Sequence, residues 1–187
     1  TIKVMSGEVW DDFVLYALNH GWYGLENLSL IPGTVGAAPI QNIGAYGVEV
    51  KEFIHSVTTF DIRTKLIQEL NAQDCKFSYR QSIFKNLPNL IVTSVTFKLP
   101  KQAKLNSNYA DLKQLLAQFP NPTAFDLRNL VIKIRQAKLP DPKIIGNVGS
   151  FFHNPIITTT KANQLIKFYP QLPIYSTNNP AQKKVSA

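Results

Sequence analysis

Apolar positions near the start of the chain repeat with a helical period. Trp10, Phe13, Val14, Ala17 and Leu18 follow the i, i+3, i+4, i+7, i+8 spacing of a buried helix face. Asp11 and Asp12 fall in its first turn, where the helix dipole favours negative charge, and Gly21 can close it in a left-handed conformation. Between 53 and 99 the pattern becomes that of strands. Residues 54–60 are β-branched, 61–65 read as a turn, and 66–70 return. Ile91, Thr93, Val95, Phe97 and Leu99 alternate with Val92, Ser94, Thr96 and Lys98, a period-2 strand that Pro100 can end. No long helix fits between these runs, so the sheet is expected to be antiparallel at least in part.

Helical spacing returns after 110. Residues 111–119 carry Leu112, Leu115, Leu116 and Phe119 on one face. Thr123, with Asp126 three residues on, has the form of a capping box, and Leu127, Leu130, Val131 and Ile134 make the next apolar stripe. Pro140 and Pro142 break the pattern and suggest a boundary near 139–144. A short strand at 150–152 and a helix from about Thr160 to Tyr169 come next, followed by a tail rich in Pro, Asn, Ser and Thr. The fold class expected is α+β: a mixed or antiparallel sheet flanked by helices over 1–139, then the start of a small α+β domain over 140–187.

Composition sets limits on partners. With 187 residues, 44% hydrophobic and 17% charged, the chain is expected to fold rather than stay disordered. The one cysteine, Cys75, excludes a disulfide framework and a clustered cysteine zinc site. His20, His55 and His153 show no metal spacing, so no metal is expected. No uninterrupted apolar stretch is long enough for a bilayer. The net charge of +8 is uneven: residues 1–97 hold 7 Lys+Arg against 9 Asp+Glu, residues 98–187 hold 13 against 3. Seven of the nine glycines precede residue 48. The basic half points to an anionic partner, and the glycine cluster to backbone closely approaching something. Composition leaves open whether that partner is nucleic acid, membrane or a phosphorylated small molecule. The chain starts without Met and stops at Ser186-Ala187, so a segment of a longer protein is expected.

Four segments can carry chemistry. Residues 31–47 hold four glycines, two prolines and no charge. They suit backbone N–H groups facing a phosphate or flat ring, and equally two tight turns, the commoner use of glycine. Arg80 lies among aromatics in Phe77-Ser78-Tyr79-Arg80-Gln81-Ser82-Ile83-Phe84. It can grip a carboxylate with two parallel hydrogen bonds or stack on Tyr79 as a structural residue. Arg128, Arg135 and Lys138 lie on one helix and can hold a diphosphate or simply face solvent near a helix C-terminus. In Gly146-Asn147-Val148-Gly149-Ser150-Phe151-Phe152-His153 the Ser150 hydroxyl can donate a proton or only shape a turn. With no G-x-S-x-G elbow and no Asp near His153, a hydrolase triad is poorly supported.

Taken together, these segments resemble one family. Gly21-Trp22-Tyr23-Gly24-Leu25-Glu26-Asn27-Leu28 running into 31–47 is similar to the UDP-N-acetylenolpyruvoylglucosamine reductases, in their longer subtype. So are Tyr79-Arg80-x-Ser82-Ile83-Phe84, Lys138-Leu139-Pro140-Asp141-Pro142-Lys143 and Gly149-Ser150-Phe151-Phe152-x-Asn154-Pro155. The resemblance implies most of the central FAD-binding domain of a flavoprotein of the PCMH/vanillyl-alcohol-oxidase type. It also implies an FAD-mediated, NADPH-consuming reduction of UDP-N-acetylglucosamine enolpyruvate to UDP-N-acetylmuramate in peptidoglycan precursor synthesis.

The same resemblance assigns residues. Pro32, Gly33, Thr34, Val35, Gly36, Ala37, Pro39, Gln41, Asn42, Gly44, Ala45 and Gly47 match the FAD-binding segment. Arg80 matches an arginine that steadies the substrate carboxylate and the enol-type intermediate, and Ser150 a serine proton donor. Tyr46, Tyr109, Arg135, Lys138, Asn154 and Tyr175 match positions facing the UDP-sugar. His153 stands where many relatives carry Lys, which removes a full-time positive charge there. The resemblance further implies a bacterial cytoplasmic monomer with a UDP-sugar substrate and neither nucleic-acid nor membrane partners. An FAD pyrophosphate loop would precede Thr1 and a catalytic glutamate would follow Ala187, so residues 1–187 alone are expected to be inactive. Another flavin oxidoreductase of the same fold would share 31–47 but not the Ser150 motif. A basic nucleic-acid-binding module would need aromatics interleaved with Lys/Arg on one face, and no such motif is seen.

Overall fold

The computed structural model describes residues 1–107, 109–142, 144–146, 152–177 and 179–187, apart from the side chains of Ala110 and Asp111. The chain forms two compact units, Thr1–Lys138 and Leu139–Ala187. In the first, strand β1 (Ile2–Met5) leads into helix α1 (Trp10–Asn19). Helix α1 buries the five apolar residues expected of it, and Gly21 closes it at φ +70°. The loop-rich stretch 31–47 ends in a two-strand hairpin, β2 (Gly44–Ala45) and β3 (Val48–Glu49). Strands β4 (Ile54–Asp61), β5 (Ile67–Asn71) and β6 (Leu90–Phe97) complete a four-stranded antiparallel sheet in the order β1-β6-β4-β5. The 61–65 turn is tied by Asp61, which accepts the Arg63 amide at 2.8 Å, while Lys65 adopts φ +60°.

Strand β6 departs from simple alternation. Thr58 pairs with Ser94 and Thr59 with Val92, so Thr93 is an extra residue, a bulge. The bulge switches phase: Val95 and Phe97 are buried after it, but Leu90 and Val92 before it, and Ile91 is exposed. The core joins α1 to this sheet. Trp10, Phe13 and Phe97 meet ring to ring, with centroids 4.9–6.1 Å apart, over Val14, Leu28, Val35, Val57 and Val95.

Helix α2 (Ala110–Leu116) stops short of the expected Phe119. Gln118 and Phe119 donate to carbonyls three residues back, and Pro120 disfavours helical backbone before it. Helix α3 (Ala124–Lys138) starts with the expected capping box. Thr123 N donates to Asp126 Oδ2 at 2.8 Å, and Asp126 N to Thr123 Oγ1 at 3.2 Å. Leu112 and Leu116 of α2 pack on Leu127, Leu130, Val131 and Ile134 of α3 as a second apolar cluster, with Tyr46 and Tyr109 against it.

The second unit contains β7 (Ile156–Thr158), α4 (Thr159–Phe168), β8 (Ile174–Ser176) and β9 (Gln182–Val185), with sheet order β7-β9-β8. Thr158 caps α4, accepting from Lys161 N at 3.3 Å. The tail is therefore not irregular: its Lys183-Lys184 segment is the central strand. Residues 150 and 151 of the expected short strand lie outside the described residues. Among those described, no helix is long and apolar enough to cross a membrane.

Candidate functional site

The approach to residues 31–47 is fixed by charge. Leu30 adopts φ +57°, unusual for a side chain of its size. Its amide donates to Asp11 Oδ1 at 2.6 Å, and its carbonyl accepts from Arg135 Nε at 3.3 Å. Arg128 grips the same Asp11 with two bonds of 2.8 Å each. Burial alone would raise the Asp11 carboxyl. The bond from Arg128, the Leu30 amide and the charges of Arg128 and Arg135 outweigh it and hold the carboxyl below its ordinary value. Burial draws the Arg135 guanidinium down from its usual value, opposed by Tyr46 and Asp11. Part of the basic surplus is thus internal: Arg128 braces the fold and is not part of a diphosphate-binding face.

Residues 33–36 are then stitched to residues 6–10. Trp10 N donates to Gly33 O at 3.0 Å, Val35 N to Glu8 O at 2.9 Å and Gly36 N to Ser6 O at 3.0 Å. Gly36 has to be glycine, because a Cβ would come 2.4 Å from Ser6 Cβ. Val35 is in the core, and Pro39 and Asn42 are buried. Pro32, Gly33, Ala37 and Gln41 are exposed. Gly33 is at φ +118° with open space where a Cβ would be. Among the described residues, the amides of Gly33 and Thr34 donate to no protein acceptor.

Asn42 joins the glycine-rich segment to Arg80. At φ +46° and fully buried, it accepts from Lys51 N at 3.1 Å. It donates to Ser78 O at 2.9 Å and Glu49 Oε2 at 3.0 Å. Ser78 and Gln81 exchange both backbone bonds, 3.0 and 3.2 Å, so Tyr79 and Arg80 occupy a tight turn with Arg80 at φ +54°. The Arg80 guanidinium reaches back to Asn42 O at 3.3 Å and donates to Gly44 O; its Cζ lies 5.1 Å from the Tyr79 ring centre. It therefore stacks on Tyr79 and also faces the glycine-rich segment.

Next to it, Tyr46 and Gly47 turn the β2–β3 hairpin, both at positive φ. Tyr46 meets Tyr109 edge to face at 5.3 Å. Asn27 Nδ2 steadies this corner, donating to Tyr46 O at 3.0 Å and Asn106 O at 2.8 Å. Arg80, Asn42 and Gly44 thus share one network, and Tyr46, Tyr109 and Arg135 another. Lys138 is the last residue of α3. Asn154 and Tyr175 belong to the second unit, where Asn154 Oδ1 accepts from Ala187 N at 3.2 Å and Lys184 Nζ lies 5.6 Å from the Tyr175 ring. Ser150 lies outside the described residues. Asn27, Glu49 and Asn106 escaped sequence reasoning, for no spacing rule links them to their partners. Asn42 had a signal in its residue type, since Asn tolerates positive φ.

Residues 1–68 match the family described as an FAD binding domain. Over 93% of the chain, identity is 50% to the UDP-N-acetylenolpyruvoylglucosamine reductase of Dechloromonas aromatica, of which the chain covers 54%. It is also 50% to that of Pseudoalteromonas atlantica over 93% of the chain and 50% of the relative. The whole chain is 46% identical to the Xylella fastidiosa reductase, covering 54% of it. The chain spans about half the length of the curated relatives it matches. The crystal structure of UDP-N-acetylenolpyruvylglucosamine reductase from Thermus caldophilus matches 98% of this chain and 61% of that one, with a TM-score of 0.63 and 21% identity, a likeness of fold. The α+β fold and the family resemblance drawn from the motifs are borne out by these matches.

Proposed function

We propose that this chain, as a segment of the UDP-N-acetylenolpyruvoylglucosamine reductase family, forms most of an FAD-binding domain and the start of a substrate domain. The complete protein would carry out the NADPH-dependent reduction of UDP-N-acetylglucosamine enolpyruvate to UDP-N-acetylmuramate. The observation that carries this reading is the bonding of Arg80 to the glycine-rich segment through Asn42 and Gly44. The glycine-rich segment suits a cofactor, and the Arg80 guanidinium a carboxylate-bearing substrate.

The residues fit a flavin nucleotide. Gly33 and Thr34 offer amides without protein acceptors, and Gly33 leaves open space in front of its α-carbon. Residues 32–37, 39, 41, 42, 44, 45 and 47 would hold it. When bound, FAD supplies the relay that takes a hydride from NADPH and passes it to the enolpyruvyl group. Arg80 presents a fixed planar cation to the substrate carboxylate, where negative charge grows as the double bond is reduced. Ser150 would deliver the accompanying proton from its hydroxyl. Tyr46, Tyr109, Arg135, Lys138, Asn154 and Tyr175 would hold the UDP-sugar, with cations for the diphosphate and rings for the flat or apolar faces. The same reading makes the complete protein a cytoplasmic bacterial monomer that binds neither nucleic acid nor membrane.

The test is made on the full-length protein. It should purify yellow and oxidise NADPH only when the enolpyruvyl UDP-sugar is present. Ser150→Ala should slow reoxidation of the reduced flavin by that sugar by about 10²-fold or more, the scale of a lost proton donor. A colourless protein would reject the cofactor, and a Ser150→Ala rate equal to the parent's would reject the proton donor.

A further inference from the structure

Glu49 has no role in the reading above, yet it is the acidic centre of the Arg80 network. It lies opposite Gly44 in the β2–β3 hairpin. Its Oε1 is 3.8 Å from Arg80 Nη1, and its Oε2 is 2.9 Å from Lys51 Nζ and accepts from Asn42 Nδ2 at 3.0 Å. Its own backbone is fixed, since Glu49 N donates to Glu52 Oε1 at 2.7 Å and Glu52 N returns a bond to the Glu49 side chain. The site leaves no spare room. A Cβ on Gly44 would lie 2.6 Å from Arg80 Nη1, 2.9 Å from Val48 O and 3.1 Å from Glu49 Cγ. Arg80 and Glu49 therefore cover the Gly44 α-carbon together.

We infer that Glu49 is a positioning residue for Arg80, a carboxylate whose charge keeps the guanidinium laid across the Asn42 and Gly44 carbonyls. The two carbonyls fix the plane but are neutral. Glu49 adds the net charge that makes this orientation the preferred one. The division of that charge matters. Lys51, at 2.9 Å, makes the shorter ion pair, and Arg80 at 3.8 Å the longer. Arg80 is thus aimed without being neutralised, and its cation stays available to an arriving anion. Both side chains are about a quarter exposed, at 24% and 23%, so the pair orients Arg80 more than it stabilises the fold.

The inference rests on the proposal that Arg80 meets the substrate carboxylate, and the experiment separates the two. In the full-length flavin-loaded protein, Glu49→Gln keeps the shape and removes the charge. Reoxidation of the reduced flavin by the enolpyruvyl UDP-sugar should slow about tenfold in kcat, with KM changed by less than about threefold. Glu49→Asp, which retains the charge, should recover part of the rate, and flavin absorbance should match the parent in both. If Glu49→Gln stays within about twofold of the parent while Arg80→Lys slows by more than about tenfold, the positioning role is wrong and the reading of Arg80 stands. If Arg80→Lys also stays within about twofold, the reading of Arg80 fails first. Loss of flavin absorbance in Glu49→Gln, or equal slowing in Glu49→Asp and Glu49→Gln, would also overturn the inference.

Discussion

Replacing Arg128 by methionine removes the buried cation that joins α3 to α1. Its side chain is 7% exposed and that of its partner Asp11 23%, and the two share bonds of 2.8 Å each. Breaking a fully buried pair costs about 3–5 kcal/mol, chiefly because the remaining charge is stranded. Water reaches part of Asp11, and the Leu30 amide still donates to it. The expected loss is therefore about 2–3 kcal/mol. Asp11→Asn and the double variant complete a cycle, read by urea unfolding of the full-length protein through Trp fluorescence. The double variant should lose less than the two single losses added together, by about 1.5 kcal/mol, since no charge is then stranded. The pH dependence has a definite sign. In the fold the Asp11 carboxyl lies below its ordinary value, so its contribution is complete above about pH 4 and is lost as pH falls through the lowered value. A coupling below about 0.5 kcal/mol at pH 7, or one that grows on acidification, would refute the reasoning.

Two further outcomes follow from packing. Cys75 is fully buried, and burial pushes its thiol up to about 12. It should resist a thiol reagent at pH 8 in the native protein and react fully in urea; fast native labelling would contradict its placement. Gly36→Ala brings a Cβ to 2.4 Å from Ser6 Cβ and 3.0 Å from Ser6 Cα. The backbone must move, so stability should fall by about 1–3 kcal/mol and flavin affinity with it; a neutral substitution, seen in urea unfolding and flavin titration, would show that residues 6 and 36 are not packed this closely.

Local signals carried well where one residue's environment depended on its near neighbours. The α1 face, the Thr123–Asp126 box and the α3 stripe involve partners within a few turns, and their spacing is printed in the chain. Long-range pairing was another matter. Strand β1 is four residues long and its pattern says little until β6 lies beside it. The β8 and β9 strands hide in a polar tail, because Lys183 and Lys184 fit a strand once both edges are paired. The β6 phase change needs the bulge at Thr93, which exists only against β4.

In the candidate site, residue types marked the glycine-rich segment and Arg80, and the family motifs connected them. Spacing left Arg80 between stacking and carboxylate binding. The fold added the Asn42 and Gly44 carbonyls and Glu49 as its neighbours. The α1 and α3 faces, the β4–β6 strands, the glycine loops and the uneven charge were legible in residue order, since each depends on local geometry or a count. Which charges face which became visible only in the folded chain. Arg128 turned inward to Asp11, Arg135 to Leu30, and Arg80 to Gly44. A guanidinium's role depends on the acceptors within a few ångströms, and those acceptors come from residues 36 to 117 positions away in the chain.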